Sequence, residues 1–86
     1  MAVGTIRYWA AAKAAAGTAE EPVDGPTLAA ALAAARAARP DDGRFARVLA
    51  SCSFVVDGVP VGRRDHGTVE LAAGAIVEVL PPFAGG

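Results

Sequence analysis

Lysine is almost missing from this chain. Of its 8 basic residues only Lys13 is a lysine; the rest are arginines, scattered rather than clustered, and 9 acidic residues leave a formal charge of −1. That balance offers no basic field to nucleic acid or to an anionic membrane surface. Cysteine occurs once, at Cys52, which excludes an internal disulfide framework and fits a reducing cytoplasm. No apolar run approaches the ~20 residues needed to cross a bilayer. The alanines ahead of Gly17 have no basic segment or sustained apolar core before them, so they do not read as a signal peptide. Glycines are present, but not in a GxGxxG or GxxxxGK pattern, so the chain has no nucleotide site of its own. His66 stands in a charged loop with no second His or Cys at ligand spacing, which leaves no metal site. The apolar fraction of 53% is rich in alanine, so the core volume is smaller than it suggests.

The residues that are there divide into short elements within one domain, residues 1–86. Val3 to Trp9 alternates as a strand, with Ile6 and Tyr8 on one face and Thr5, Arg7 and Trp9 on the other. Ala10 to Ala16 favours a short helix that Gly17 can end. Glu20 to Asp24 is a second extended piece, antiparallel to the first across that helical connection. Thr27 suits an N-cap for a helix from Leu28 to Arg39, with Leu28 and Leu32 at i, i+4 and Arg36 and Arg39 at the negative end of its dipole. Asp41-Asp42-Gly43 reads as a solvated turn, as does the Glu20-Glu21 pair as far as its charges go. Arg44 to Ala50 reads as a further helix with Phe45, Val48 and Leu49 on one face. Ser51 to Val56 is the next strand; Asp57-Gly58 turns it into an edge arm carrying Pro60. Thr68 to Gly74 leads into the last strand, Ala75 to Leu80. This order predicts an α+β fold with a mixed sheet packed on one main helix.

The end of the chain draws the most attention. Pro81 and Pro82 stop the last strand, because neither donates to a ladder and each fixes φ near −65°. Phe83 follows, then Ala84, Gly85 and Gly86. The four residues past Pro82 span roughly 13 Å when extended. Glycine has no Cβ, so such a tip passes a narrow channel and leaves its carbonyl open to attack. The competing view is an ordinary frayed end.

Val79-Leu80-Pro81-Pro82-Phe83-Ala84-Gly85-Gly86, together with Ile6-Arg7-Tyr8-Trp9-Ala10 and Val56-Asp57-Gly58, resembles the molybdopterin synthase small subunit, in the MoaD/ThiS group of ubiquitin-like sulfur carriers. The likeness spans nearly the whole chain. It implies a β-grasp (ubiquitin-like) fold with residues 81–86 as an extended tail, and a subunit that is not catalytic alone. Gly86, next to Gly85, would be adenylated with ATP by an E1-like adenylyltransferase. A sulfurtransferase would then make it a thiocarboxylate, which donates sulfur to cyclic pyranopterin monophosphate. No cofactor would be held by the chain itself. The partner would be the large synthase subunit, in a heterotetramer of two small and two large subunits.

If the first and last strands are neighbours, Arg7 and Trp9 share a face with Glu78 and Leu80, while Ile6, Tyr8, Val77 and Val79 build the core. A Trp9–Leu80 patch beside the tail then suggests a partner surface that continues through Pro81, Pro82, Phe83 and Ala84. Alternatively Trp9 lies under the Ala10 to Ala16 segment, and Phe83 packs back onto it. Cys52 reads as a small core residue rather than a redox nucleophile. Other functions fit the same tail: a carrier for thiamine or cysteine biosynthesis, a ubiquitin-like modifier of protein lysines, or an interaction module with an inert end.

Overall fold

The structure, a computed structural model, describes residues 4–40 and 43–82. Val3, the Asp41-Asp42 part of the expected turn, and Phe83 to Gly86 lie outside the described residues. The element order is β1 (Gly4–Tyr8), α1 (Ala10–Ala16), β2 (Glu20–Val23), α2 (Leu28–Ala37), α3 (Gly43–Ala50), β3 (Ser53–Val56), β4 (Val59–Pro60), a 3-10 turn (His66–Thr68) and β5 (Ile76–Leu80). The five strands form one mixed sheet in the order β2-β1-β5-β3-β4. The last strand therefore lies in the middle, parallel to β1 with Tyr8 opposite Val79, and antiparallel to β3 with Phe54 opposite Val79. This is the β-grasp arrangement that the sequence resemblance implies.

Alternation along β1 and β5 selects the buried face. Ile6, Tyr8, Val77 and Val79 are 0–2% exposed and meet Leu28 and Leu32 of α2. Thr27 caps α2 by accepting from the Ala30 N–H at 3.2 Å, as its position before an apolar run predicts. The start of the helix is tied further to the segment before β5: Leu28 N–H donates to Val69 O at 2.8 Å and Leu71 N–H to Pro26 O at 3.0 Å. Alanine supplies helix propensity in α2 but little volume, so Phe45 and Leu49 of α3 complete the core. Gly4 is required for another reason. A Cβ there would fall 2.0 Å from the carbonyl oxygen of Ala75, where the chain enters β5.

Several boundaries differ from expectation. Ser51 and Cys52 are not strand; their N–H groups bond back to Val48 O and Leu49 O and finish α3, so β3 starts at Ser53. Helix α2 closes at Ala37 with Ala38 as its cap, and Arg39 N–H bonds to Arg36 O in a tighter last turn. Asp57 and Gly58 make the hairpin turn, both at positive φ (50° and 81°). Asp57 also accepts from Ile76 N–H through Oδ1 at 2.9 Å, pinning the turn to the head of β5.

The largest departure is at Glu21. It is not a solvated charge but the acceptor in a half-buried network. Tyr8 OH donates to Glu21 Oε2 at 2.5 Å, and Arg39 Nη2 lies 3.0 Å from the same oxygen. The Arg39 guanidinium also donates to Ala16 O at 3.1 and 3.2 Å and to Ala35 O at 3.0 Å, so it serves the carbonyl ends of both α1 and α2. Its plane stacks 4.5 Å from the Phe45 ring centre and 5.7 Å from that of Tyr8.

Leu32→Ala is expected to cost about 2–5 kcal/mol in urea unfolding, because the flanking alanines cannot collapse into the gap. A loss well under 1 kcal/mol would mean that Leu32 does not carry the helix–sheet contact. Burial first, and then the hydrogen bond to Glu21, push the Tyr8 phenol well above its ordinary range. The unfolded chain releases that proton near pH ~10 while the folded chain keeps it, so stability is complete below that pH and drains away above it. Tyr8 is the single tyrosine, so phenolate absorbance reads it alone. Ionisation should track unfolding, and Tyr8→Phe should flatten stability on the alkaline side. Reversible titration near pH 10 in a folded chain would contradict this placement.

Candidate functional site

The site begins where β1 and β5 end together. Because the two strands are parallel, the exit toward α1 and the exit toward the C-terminal residues lie at the same end of the sheet. Trp9 is still extended (φ −115°, ψ 148°), and its N–H donates to Val79 O at 3.1 Å, continuing the ladder by one rung. Its carbonyl accepts from Ala12 and Lys13, which starts α1. Between the two lies Ala10 at φ 49°, in the left-handed region that a Cβ disfavours by roughly 1–2 kcal/mol. That sharp turn keeps the indole outside the helix. Trp9 is 49% exposed, so it does not form a second core under α1.

An apolar groove of about 580 Å³ opens at this corner. It is lined by Trp9, Ala10 and Ala11 from the β1–α1 turn, by Leu80, Pro81 and Pro82 from the end of β5, and by Ser53, the partner of Leu80 across the ladder. The structure thus brings together Trp9, Leu80, Pro81 and Pro82 of the expected partner surface. Phe83, Ala84, Gly85 and Gly86 lie outside the described residues. Next to the groove, Arg7 pairs with Glu20 on the neighbouring strand (Nε–Oε2 3.3 Å) and faces Glu78 across the parallel pair, so the outer sheet face is mixed in charge.

The other titratable candidates lie elsewhere. Cys52 is half-buried, its thiol donating to Val48 O at 3.1 Å, and burial pushes that thiol up, away from reactivity. His66 packs edge-on against Phe54, with ring centres 5.1 Å apart. Both line a separate cavity of about 550 Å³ between α2, α3 and β3. Among the described residues no group of three His, Cys, Asp or Glu is placed to hold a metal, and no helix is long and apolar enough to cross a membrane. Sequence reasoning missed Ala10, whose strained turn sets the direction of Trp9. A non-glycine residue in a left-handed turn leaves no mark in composition.

The geometry is that of a ubiquitin-like protein: a sheet grasping a helix, with its central strand leaving the sheet through Pro81 and Pro82. Residues 6–86 match the profile of the ThiS family, and the chain belongs to that family. Its members are small ubiquitin-like carrier proteins, not catalytic themselves, that work with E1-like activating enzymes and partner enzymes. The fold is similar to the solution structure of the small archaeal modifier protein 1 (SAMP1) from Methanosarcina acetivorans, with a TM-score of 0.79 over 95% of this chain and 94% of that one, at 20% identity. Among curated protein sequences none matches the chain significantly.

Trp9→Ala and Leu80→Ala are expected to keep the fold and to weaken binding of the activating or acceptor enzyme by at least roughly 2 kcal/mol. Trp9 is the single tryptophan, so its fluorescence should shift on complex formation. Unchanged affinity in either variant would remove the groove from the interface.

Proposed function

We propose that the chain is the sulfur-carrying small subunit of a molybdopterin synthase. The observation that carries this reading is the ending Leu80-Pro81-Pro82-Phe83-Ala84-Gly85-Gly86, whose first three residues leave the central strand and line the Trp9 groove. A central strand is held by ladders on both sides, so the base of the tail cannot swing. The two prolines stiffen its exit. The groove gives a partner enzyme an apolar hold next to that base, which positions whatever the tail carries.

In the proposed cycle an E1-like enzyme brings ATP. A Gly86 carboxylate oxygen attacks the α-phosphorus, pyrophosphate leaves, and the acyl-adenylate forms. The terminal sulfur of a sulfurtransferase persulfide attacks the carbonyl and displaces AMP, and a thiol then cleaves the resulting acyl disulfide, leaving the thiocarboxylate and a new disulfide. The large synthase subunit then takes the tail; the thiocarboxylate sulfur attacks cyclic pyranopterin monophosphate, and water cleaves the acyl C–S bond, leaving sulfur on the acceptor and a carboxylate on Gly86. Every acid, base and nucleotide contact is supplied by those partners. This chain contributes reach, an unhindered glycine carbonyl and a docking surface. Phe83 and Ala84 extend that surface, and Gly85 is slim enough to follow Gly86 into a channel.

A second reading, a ubiquitin-like modifier, is favoured by the fold it shares with a protein named as a modifier. The family itself also includes carriers for other acceptors, such as those of thiamine biosynthesis. Conjugates of higher mass that resist thiol and hydroxylamine would mark the modifier. Transfer of sulfur to a different acceptor would mark the other carriers.

Alterations of the tip test the carrier reading. Adding a residue after Gly86 moves the carboxylate by roughly 3.5 Å, and deleting Gly86 withdraws it by the same distance. Both should abolish loading and transfer, Gly85→Ala should lower them in part, and none should change thermal unfolding. After incubation with ATP, activating enzyme and sulfur donor, the native chain should gain about 16 Da, oxygen replaced by sulfur. An extended chain that gains that mass at the native rate would overturn the assignment of Gly86.

A further inference from the structure

We propose that the cavity of about 550 Å³ between α2, α3 and β3 is a binding site for a small organic acid, an apolar body carrying one carboxylate that Arg36 holds. The proposal is independent of the carrier reading and of every residue beyond Pro82. Three side-chain donors line the cavity: the Arg36 guanidinium, the Ser53 hydroxyl and the His66 ring. None of the three has a hydrogen-bond or ion-pair partner among the described residues. Other arginines of the chain are engaged: Arg7 by Glu20, Arg39 by Glu21 and two helix-end carbonyls, and Arg64 by the carbonyls of Pro60 and Val61.

The charge of the cavity has one sign. Arg36 is the one permanent charge among its described lining residues, and no Asp or Glu is among them. Asp65, next to His66 in the chain, is committed to its own loop, its Oδ1 accepting from the Gly67 N–H at 2.9 Å. Cys52 also lines the cavity, but its thiol already donates to Val48 O. Donors without acceptors call for a ligand that accepts, and the fixed cation calls for one that is negative.

The rest of the lining is apolar, with Leu32, Leu49 and Phe54 the large side chains. The volume falls within the range of roughly 300–1,000 Å³ common to small-molecule sites, which share an apolar lining with a few placed polar groups. Inorganic phosphate or sulfate suits such a lining poorly, because either would give up its hydration against leucine and phenylalanine. One negative charge on a compact apolar body meets both requirements. A carboxylate also matches the planar guanidinium through two parallel hydrogen bonds.

The donors come from three separate elements, so only the folded chain assembles them. Arg36 stands in the last turn of α2, Ser53 is the first residue of β3, and His66 opens the 3-10 turn after β4. That turn is tied at its start, where Asp65 O accepts from the Thr68 N–H at 2.9 Å and from the Thr68 hydroxyl at 2.7 Å. The His66 ring is held edge-on to Phe54 with centres 5.1 Å apart. Such prior ordering lowers the freedom lost when a ligand enters.

The test titrates phenylacetate into the full chain and follows the backbone amide signals by NMR. Phenylacetamide, its neutral isostere, and acetate, the head group without the ring, are titrated beside it. Phenylacetate is expected to give saturable shifts at Ser53, Phe54, Gly62 and His66 and to bind about tenfold more tightly than either control, the order of a charge-assisted hydrogen-bonded pair. Arg36→Gln, a change at an exposed position of α2, should leave thermal unfolding as it is and bring phenylacetate down to the level of the amide. Arg36→Lys should fall between the two. Cys52 is the single cysteine, so saturating phenylacetate should slow its alkylation by iodoacetamide several-fold, while the same concentration of phenylacetamide should not. Equal affinity for acid and amide would overturn the proposal. So would unchanged binding in Arg36→Gln, shifts confined to Trp9, Leu80 and their neighbours, or no saturable shift at all.

Discussion

The parallel pairing of β1 with β5 is the constraint on which the rest of this molecule depends. No tight turn can close a parallel pair; the chain between them must cross the sheet and return. Here that crossover is nearly the whole protein, from Trp9 to Ala75. Every other element either covers the β1–β5 ladder on one face or extends it at its edges. Gly4 shows how close the join is: the head of β1 runs so near to Ala75 that a single methyl group would strike its carbonyl. The same pairing sets the functional geometry, because parallel strands end together. The turn that presents Trp9 and the segment that leaves through Pro81 and Pro82 are neighbours for that reason alone.

Arg39 ties together the elements packed around the end of β1. A core rich in alanine leaves space that larger side chains would fill, and the guanidinium takes part of it, lying over the Phe45 ring and near that of Tyr8. Its charge is compensated by Glu21, and its remaining N–H groups by the carbonyls of Ala16 and Ala35. Burying a charge is costly unless such partners are complete. Lysine would provide neither the plane nor the fork of donors. The prevalence of arginine in this sequence thus has a structural meaning at one position, where it ties the C-terminal ends of α1 and α2 to β2.

Period-two alternation made β1 and β5 legible from the sequence, and with them the core residues Ile6, Tyr8, Val77 and Val79. Local chemistry made the caps legible: Thr27 ahead of α2, Gly17 after α1 at φ 80°, and Asp57-Gly58 in the hairpin. What could not be read was whatever depends on residues far apart along the chain. Glu21 looked solvated because its partners Tyr8 and Arg39 stand 13 and 18 positions away. Ser51 and Cys52 looked like strand because an exposed serine followed by a half-buried cysteine fits a strand as well as it fits a helix end. At the site, the adjacency of Trp9 and Leu80 followed once the end strands were taken as neighbours. The left-handed turn at Ala10 did not, since alanine there is an exception to the rule that would have located it.

That turn also explains how a site without catalytic groups can be specific. An indole half in water forfeits burial that would otherwise stabilise the fold, and a left-handed alanine adds strain next to it. Neither helps the isolated chain. The lost burial would be recovered if a partner's apolar surface covered the groove, and the extended, hydrogen-bonded Trp9 backbone limits the freedom lost on binding. In the proposed role, affinity would reside in this rigid corner of the sheet and in Phe83 and Ala84 next to it, not in the two terminal glycines. In the proposed carrier role, Gly85 and Gly86 would then have no anchoring duty, and their lack of side chains would serve passage and reaction alone.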